Sequence, residues 1–246
     1  MKTSITIVYF LFIVATTIAS NLPSNFKICN RSDPRYFECL REAITEAIVS
    51  MADGLKSFNV SPLDPWSMDI VKINGSESSL QQEYKDIQIR GITKGLVISN
   101  IKLNWKTLKL EMDSYSPLMN CLGDYKLHGK ISILQVNGSG KCNITLKDIR
   151  MHHSMQFEEY VQEDNETYFR VTKYNIKLHP NNIIYEFDNI FNGDENLGKQ
   201  INKFMNENSL LVFKEFQNPL EKVCNALLKD TCNNIFTRIP NKIIFP

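Results

Sequence analysis

The chain is 246 residues long, 43% hydrophobic and 22% charged, with 28 Lys and Arg against 27 Asp and Glu. This composition excludes a disordered chain, a collagen-like chain and a small disulfide-dense scaffold. The near-zero net charge also excludes the basic excess with which nucleic-acid binders displace phosphate counterions.

Lys2 precedes an apolar run over residues 5–15 that contains Tyr9, Phe10, Leu11 and Phe12, and the small residues of Thr17-Ile18-Ala19 and Ser20 follow. That is the pattern of a secretory leader; as a membrane anchor the run is short and lacks a basic stop signal. The expected organisation is a cleaved leader over 1–20 and a single domain over 21–246, with no integral membrane segment once the leader is gone. An oxidising, glycosylating, extracellular compartment agrees with an even cysteine count: Cys29, Cys39, Cys121, Cys142, Cys224 and Cys232. No C-x-x-C pair exists, so the spacing is not that of a zinc module. Sequons begin at Asn30, Asn59, Asn74, Asn137, Asn143 and Asn165. Pro62 weakens Asn59 and the adjoining Cys29 weakens Asn30, which leaves Asn74, Asn137, Asn143 and Asn165 as candidates.

Residues 21–34 are irregular, with Pro23 and Asp33-Pro34. From Arg35 the apolar residues Cys39, Leu40, Ala43, Ile44, Ala47, Ile48, Met51 and Leu55 recur at three- and four-residue steps, which predicts an amphipathic helix. Asp33 is its expected N-cap, and Pro34 suits its first turn. Ser61-Pro62-Leu63-Asp64-Pro65 is a turn. Residues 66–187 read as strands: Leu108, Leu110 and Met112 alternate with Lys109, Glu111 and Asp113, and Cys142, Ile144 and Leu146 with Asn143, Thr145 and Lys147. Met151, His153, Met155 and Phe157 continue the pattern. Period two with one polar face predicts an antiparallel sheet, dry on one side. Turns are expected at Asn74-Gly75, Gly123-Asp124, Asn137-Gly138-Ser139-Gly140 and Asp164-Asn165. After Asn192-Gly193-Asp194-Glu195, a helical pattern of about 30 residues runs from Leu197 to Leu228, apolar over much of its girth around 210–216. Such a helix should be wrapped by the sheet, and Pro219 should kink or split it.

Several short pieces stand in a recognisable order. They are Leu22-Pro23 with Phe26 and Cys29, Cys39-Leu40, Pro62-Leu63-Asp64-Pro65, Tyr125-Lys126-Leu127 with Gly129-Lys130, and Gly138-Ser139-Gly140. The tail adds Phe191-Asn192-Gly193 with Leu197-Gly198, Phe204-Met205-Asn206, Ile235-Phe236, Pro240 and Ile244-Phe245-Pro246. In this order the chain resembles the insect takeout and juvenile-hormone-binding protein family over nearly all of 21–246. The resemblance implies an α+β tubular lipid-binding fold, a long helix wrapped by a strongly curved antiparallel sheet with an N-terminal lid helix. It implies secreted carriers of juvenile-hormone-like terpenoids, fatty acids or other lipids, several of them linked to feeding or circadian output. It implies a Cys29–Cys39 disulfide; Cys121–Cys142 and Cys224–Cys232 are left as candidate pairs. It also implies that the lid offers Leu40, Ile44, Ile48 and Met51 to the ligand, residues that would equally pack a core. Trp66, Trp105, Tyr115, Tyr125, Met155 and Phe157 are further lining candidates under the same alternative.

No cofactor or metal is expected. The chain lacks G-x-S-x-G, H-E-x-x-H, a Walker loop and G-x-G-x-x-G, and Gly138-Ser139-Gly140-Lys141 lacks the upstream glycine of a phosphate loop. His152 and His153 are neighbours on a strand and point to opposite faces, while His128 and His179 suit strand ends. The expected function is therefore a non-enzymatic carrier of a small hydrophobic molecule. The rival is a secreted recognition protein whose tunnel carries nothing and whose receptor is unknown.

Overall fold

A computed structural model describes residues 22–74, 80–131 and 134–246; the leader and Gly75 of the predicted Asn74-Gly75 turn lie outside the described residues. Helix α1 spans Tyr36–Ser50. It begins later than expected because Asp33 caps the turn before it: the Asp33 carboxylate accepts the Arg35 N–H at 2.7 Å, and the Tyr36 N–H donates to the Asp33 carbonyl. A disulfide joins Cys29 to Cys39 with Cα atoms 5.8 Å apart, and it pins the irregular lead-in to the first turn of α1. Closing so short a loop contributes about 3 kcal/mol in the chain-entropy account.

Seven antiparallel strands form one sheet: β1 Trp66–Asn74, β2 Gln81–Arg90, β3 Val97–Asn104, β4 Lys109–Ile131, β5 Leu134–Val161, β6 Thr167–His179 and β7 Asn182–Phe187. The frame is the β4–β5 hairpin, paired from Lys109–Gln156 out to Ile131–Leu134. Along the outer edge of β4 lie β3 and then β2; along that of β5 lie β6 and then β7. A straight strand of the 28 residues of β5 would measure about 90 Å, against a radius of gyration of about 17 Å for a domain of this size. The hairpin must therefore roll. Register shifts at Lys85/Gln88, Ser99/Lys102 and Gln156/Phe157, with left-handed backbone at Asp86, Asn100 and Asp148, supply the bends.

Two predicted turns are not turns. Gly123-Asp124 lies inside β4, and Asn137-Gly138-Ser139-Gly140 inside β5. These glycines mark close backbone approach: a Cβ on Gly138 would meet the Asn189 carbonyl oxygen at 2.3 Å, and one on Gly123 the Lys85 carbonyl oxygen at 2.8 Å. The Asp164-Asn165 turn does join β5 to β6, with Asn165 at φ 61°.

The tail forms α2 Glu195–Glu207, α3 Ser209–Phe236 and α4 Asn241–Ile244. The expected break falls at Asn208 instead of Pro219. Both the backbone N–H and the side-chain amide of Asn208 donate to the Phe204 carbonyl and close α2 there. Pro219 removes one intrahelical bond, but Phe216 and Leu220 on either side of it pack on the core and carry α3 through. Nor is α3 enclosed on every side: one stripe faces inward, and Leu210 and Leu211 are exposed.

The helices complete the sheet. On β7, Asn206 accepts the Tyr185 N–H at 2.7 Å and donates to its carbonyl at 2.8 Å, and Asn202 does the same for Phe187 at 2.9 Å each. On β6, Glu221 accepts the Leu178 N–H, Asn225 accepts that of Ile176, and Asn233 bonds both the N–H and carbonyl of Val171. Four helical residues rise about 6.0 Å and two strand residues about 6.6 Å, so side chains at i and i+4 reach alternate residues of an edge strand. The free edge of the roll is thus hydrogen-bonded without another strand.

Candidate ligand-binding site

The sheet, α1 and α3 enclose a cavity of about 470 Å³, within the range of about 300–1,000 Å³ of small-molecule sites. Leu40, Ile44 and Ile48 of α1 with Met51 at its C-terminal end form one wall, Met68, Ile73 and Ile87 of β1 and β2 another, and Phe213, Phe216, Leu220 and Leu228 of α3 a third. The remaining wall is the β4–β5 hairpin, with Met112, Met119, Ile149, Met151 and Met155. Among the described charged residues only Lys27 reaches the lining, and it is already paired with Glu42.

Which residues of the hairpin face inward changes halfway along it. On β4 the buried side chains are Leu110, Met112, Ser114 and Ser116, then Met119, Tyr125 and Leu127; on β5 they are Val136 and Cys142, then Ile149, Met151, His153, Met155 and Phe157. Both strands change parity where Ser116 pairs with Ile149 and Leu118 with Lys147, beside the left-handed Asp148. Of the lining candidates, Trp66 and Met155 join the four lid residues on the cavity wall. Four others lie elsewhere. Tyr115 falls on the outward parity, and its hydroxyl donates to Asp148. Tyr125 points inward but fills space, edge-on to Phe187 with its hydroxyl donating to the Asp188 carbonyl. Trp105 and Phe157 line a smaller pocket with Phe169 and Phe245, and the Arg31 guanidinium sits 3.8 Å over the Trp105 ring.

Ser114, His153 and Tyr174 place a polar group in this apolar wall. The Ser114 hydroxyl is 2.8 Å from Nε2 of His153, and the Tyr174 hydroxyl is 2.9 Å from Nδ1. Burial lowers the His153 pKa to about 4; His152 adds to the shift and Asp113 opposes it. The imidazole is therefore neutral near pH 7. The Ser–His spacing is that of a nucleophile and its base, but Nδ1 faces a phenol instead of a carboxylate, and the ring has lost basicity. This is an arrangement for holding a hydrogen bond. Sequence reasoning missed the trio because its members lie far apart in the chain. The available signal was His153, an apolar-face position between Met151 and Met155. On the neighbouring strand the Tyr84 hydroxyl donates to Gln82, and both residues line the cavity.

The other two candidate disulfides do not form: Cys121, Cys142, Cys224 and Cys232 are free thiols. Cys121 pairs in register with Ile144 and Cys142 with Gly123, so the two cysteines are diagonal neighbours about 7–8 Å apart, beyond disulfide reach. Cys224 and Cys232 sit on unbroken α3, about 12 Å apart along its axis. Burial pushes Cys121 and Cys232 up to about 12 and Cys142 and Cys224 to about 11, so the reactive thiolate is scarce. Native protein should resist iodoacetamide at all four, and denatured protein should take up four equivalents. Fewer than four after denaturation would mean that a second bridge exists.

A single sheet rolled over two helices around an apolar hollow defines a tubular carrier of small hydrophobic molecules. The profile of the haemolymph juvenile hormone binding protein family matches residues 8–246. The chain belongs to that family, whose members are hydrophobic-ligand carriers. It is 20% identical over 230 residues to the circadian clock-controlled protein daywake of Drosophila melanogaster, covering 90% of this chain and 87% of that one. The Drosophila yakuba daywake is 18% identical over the same shares. The crystal structure of Epiphyas postvittana Takeout 1 superposes with a TM-score of 0.80 at 24% identity, covering 89% of this chain and 99% of that one, a likeness of fold.

Proposed function

We propose that the chain is exported after loss of residues 1–20, and that its single domain, 21–246, carries a terpenoid or fatty-acid-like lipid in the cavity without turning it over. The observation that carries this reading is the apolar wall contributed by the lid, the sheet and α3 together. Burying about fifteen ligand carbons yields about 12 kcal/mol, against an association cost of about 4–15 kcal/mol, so useful affinity needs no ionic partner. The clock-controlled daywake relatives support a place in circadian output. Of the sequons, Asn165 stands exposed at the tip of the β5–β6 turn and suits a glycan. Asn137 is also exposed, whereas the Asn143 side-chain nitrogen donates to Glu186 within the sheet.

Organic extraction of protein from its native source followed by mass spectrometry should recover an intact lipid. Recombinant protein should bind a fluorescent fatty acid that terpenoids or fatty acids displace. Ile48→Trp, which pushes an indole from α1 into the cavity, should weaken probe binding at least tenfold while the melting curve stays cooperative. An empty extract together with unaltered probe binding in that variant would exclude the carrier reading.

A further inference from the structure

We propose that Ser114, His153 and Tyr174 form a hydrogen-bond-donating subsite for a neutral acceptor group, such as a ketone, ester or ether oxygen, on the cavity's ligand. This rests on the carrier reading and adds the polar chemistry of the cargo.

The inference follows from a proton count. A serine hydroxyl, a tyrosine hydroxyl and a neutral imidazole bring three hydrogens, and the two contacts at 2.8 and 2.9 Å use two of them. If Nδ1 carries the ring proton, it donates to Tyr174, Ser114 donates to Nε2, and the Tyr174 hydrogen is left over. In the other tautomer Nε2 donates to Ser114, Tyr174 donates to Nδ1, and the Ser114 hydrogen is left over. Either way one hydroxyl donor remains uncommitted.

That donor has nowhere else to turn. Neither hydroxyl has a second partner among the described residues, and the three side chains are only 4%, 7% and 6% exposed. The same-face neighbours across the ladders are Met112 and Ile176 opposite His153, Met151 opposite Ser114 and Met155 opposite Tyr174, all apolar. A donor buried without an acceptor is costly, so an oxygen arriving on a ligand is favoured there. The depressed basicity of His153 keeps the ring neutral and the count valid near pH 7. A carboxylate is the wrong guest for this spot: the trio is uncharged, and Lys27, the one lining cation among the described residues, is paired with Glu42.

The test uses heptadecan-2-one, heptadecan-9-one and heptadecane as competitors of bound N-phenyl-1-naphthylamine. At least one ketone should bind about three- to tenfold more tightly than the alkane, the span of one neutral hydrogen bond. In Ser114→Ala/His153→Leu/Tyr174→Phe that ratio should fall to about one. Replacing a whole network by apolar groups of similar shape is often near neutral for folding. Independently of the variant, the carbonyl stretch of carbonyl-¹³C-labelled ketone bound to wild-type protein should lie below its value in hexane. Ketones and alkane that displace the probe equally, or an unshifted stretch, would overturn the subsite and leave the carrier reading standing. A preference that survives the triple substitution would also overturn it. Failure of all three competitors to displace the probe would remove the carrier reading and this inference together.

Discussion

Asn206→Leu should lower the free energy of unfolding by about 3 kcal/mol, although it adds an apolar side chain beside an apolar core. The substitution strips both partners from Tyr185, whose N–H and carbonyl face Asn206 on the free edge of β7. Each orphaned buried backbone group costs about 1–3 kcal/mol, and the added leucine offsets part of the sum. For a domain of this size the melting temperature should fall by roughly 6–12 °C. Lys203→Leu, on the exposed side of the same helix, is the control. Equal melting temperatures for the two variants would show that the side-chain rungs do not hold the edge.

Acid should destabilise the protein through His153. The unfolded chain takes a proton there near pH 6.5, the folded chain only near pH 4. Between those values the unfolded state binds more protons, so stability falls as pH falls, by about 3 kcal/mol in all. The groups around the ring do not blur this window. Asp113 on β4 is held below its usual range by Asn100 and His152, and Tyr174 on β6 and Cys224 and Cys232 on α3 are pushed up and stay neutral. Glu221 on α3 is opposed by its burial, but Lys177, the Leu178 N–H and Gln217 hold it below its usual value; its contribution is common to wild type and variant. Urea unfolding at pH 7 and pH 4 should therefore show a steeper loss in wild type than in Ser114→Ala/His153→Leu/Tyr174→Phe. Parallel losses would clear His153 of the effect.

The sequence carried the elements further than their arrangement. Alternation in Lys109-Leu110-Glu111-Met112-Asp113 marks a half-buried strand because each residue there obeys one parity, whereas Leu108, at φ 51°, belongs to the turn before it. The α1 stripe Leu40, Ile44 and Ile48 was legible for the same reason, at the helical period. The site was only partly legible. A parity change at Leu118 and Asp148 is a property of the paired hairpin, and no single strand's pattern announces it. Tyr115, a lining candidate, precedes that change, shares the outward parity of Glu111 and Asp113, and faces out. Gly123, Gly138 and Gly140 look like turn residues because tight turns and close backbone packing demand the same missing Cβ. The asparagines at 202, 206, 225 and 233 look solvent-facing in the helical pattern, since what they bond is a strand edge distant in sequence.

The rungs between helix and strand also bear on how the hollow can change size. From Asn225 to Asn233, α3 advances eight residues, about 12 Å, while β6 runs from Ile176 back to Val171 and takes up its surplus residue at the register shift beside Thr172. A single residue added to β6 can be taken up in such a bulge, whereas one added to α3 turns every side chain beyond it about 100° away from the strand edge. Four residues added to α3 and two to β6, about 6 Å of each, would keep every rung in phase and lengthen the hollow by one step.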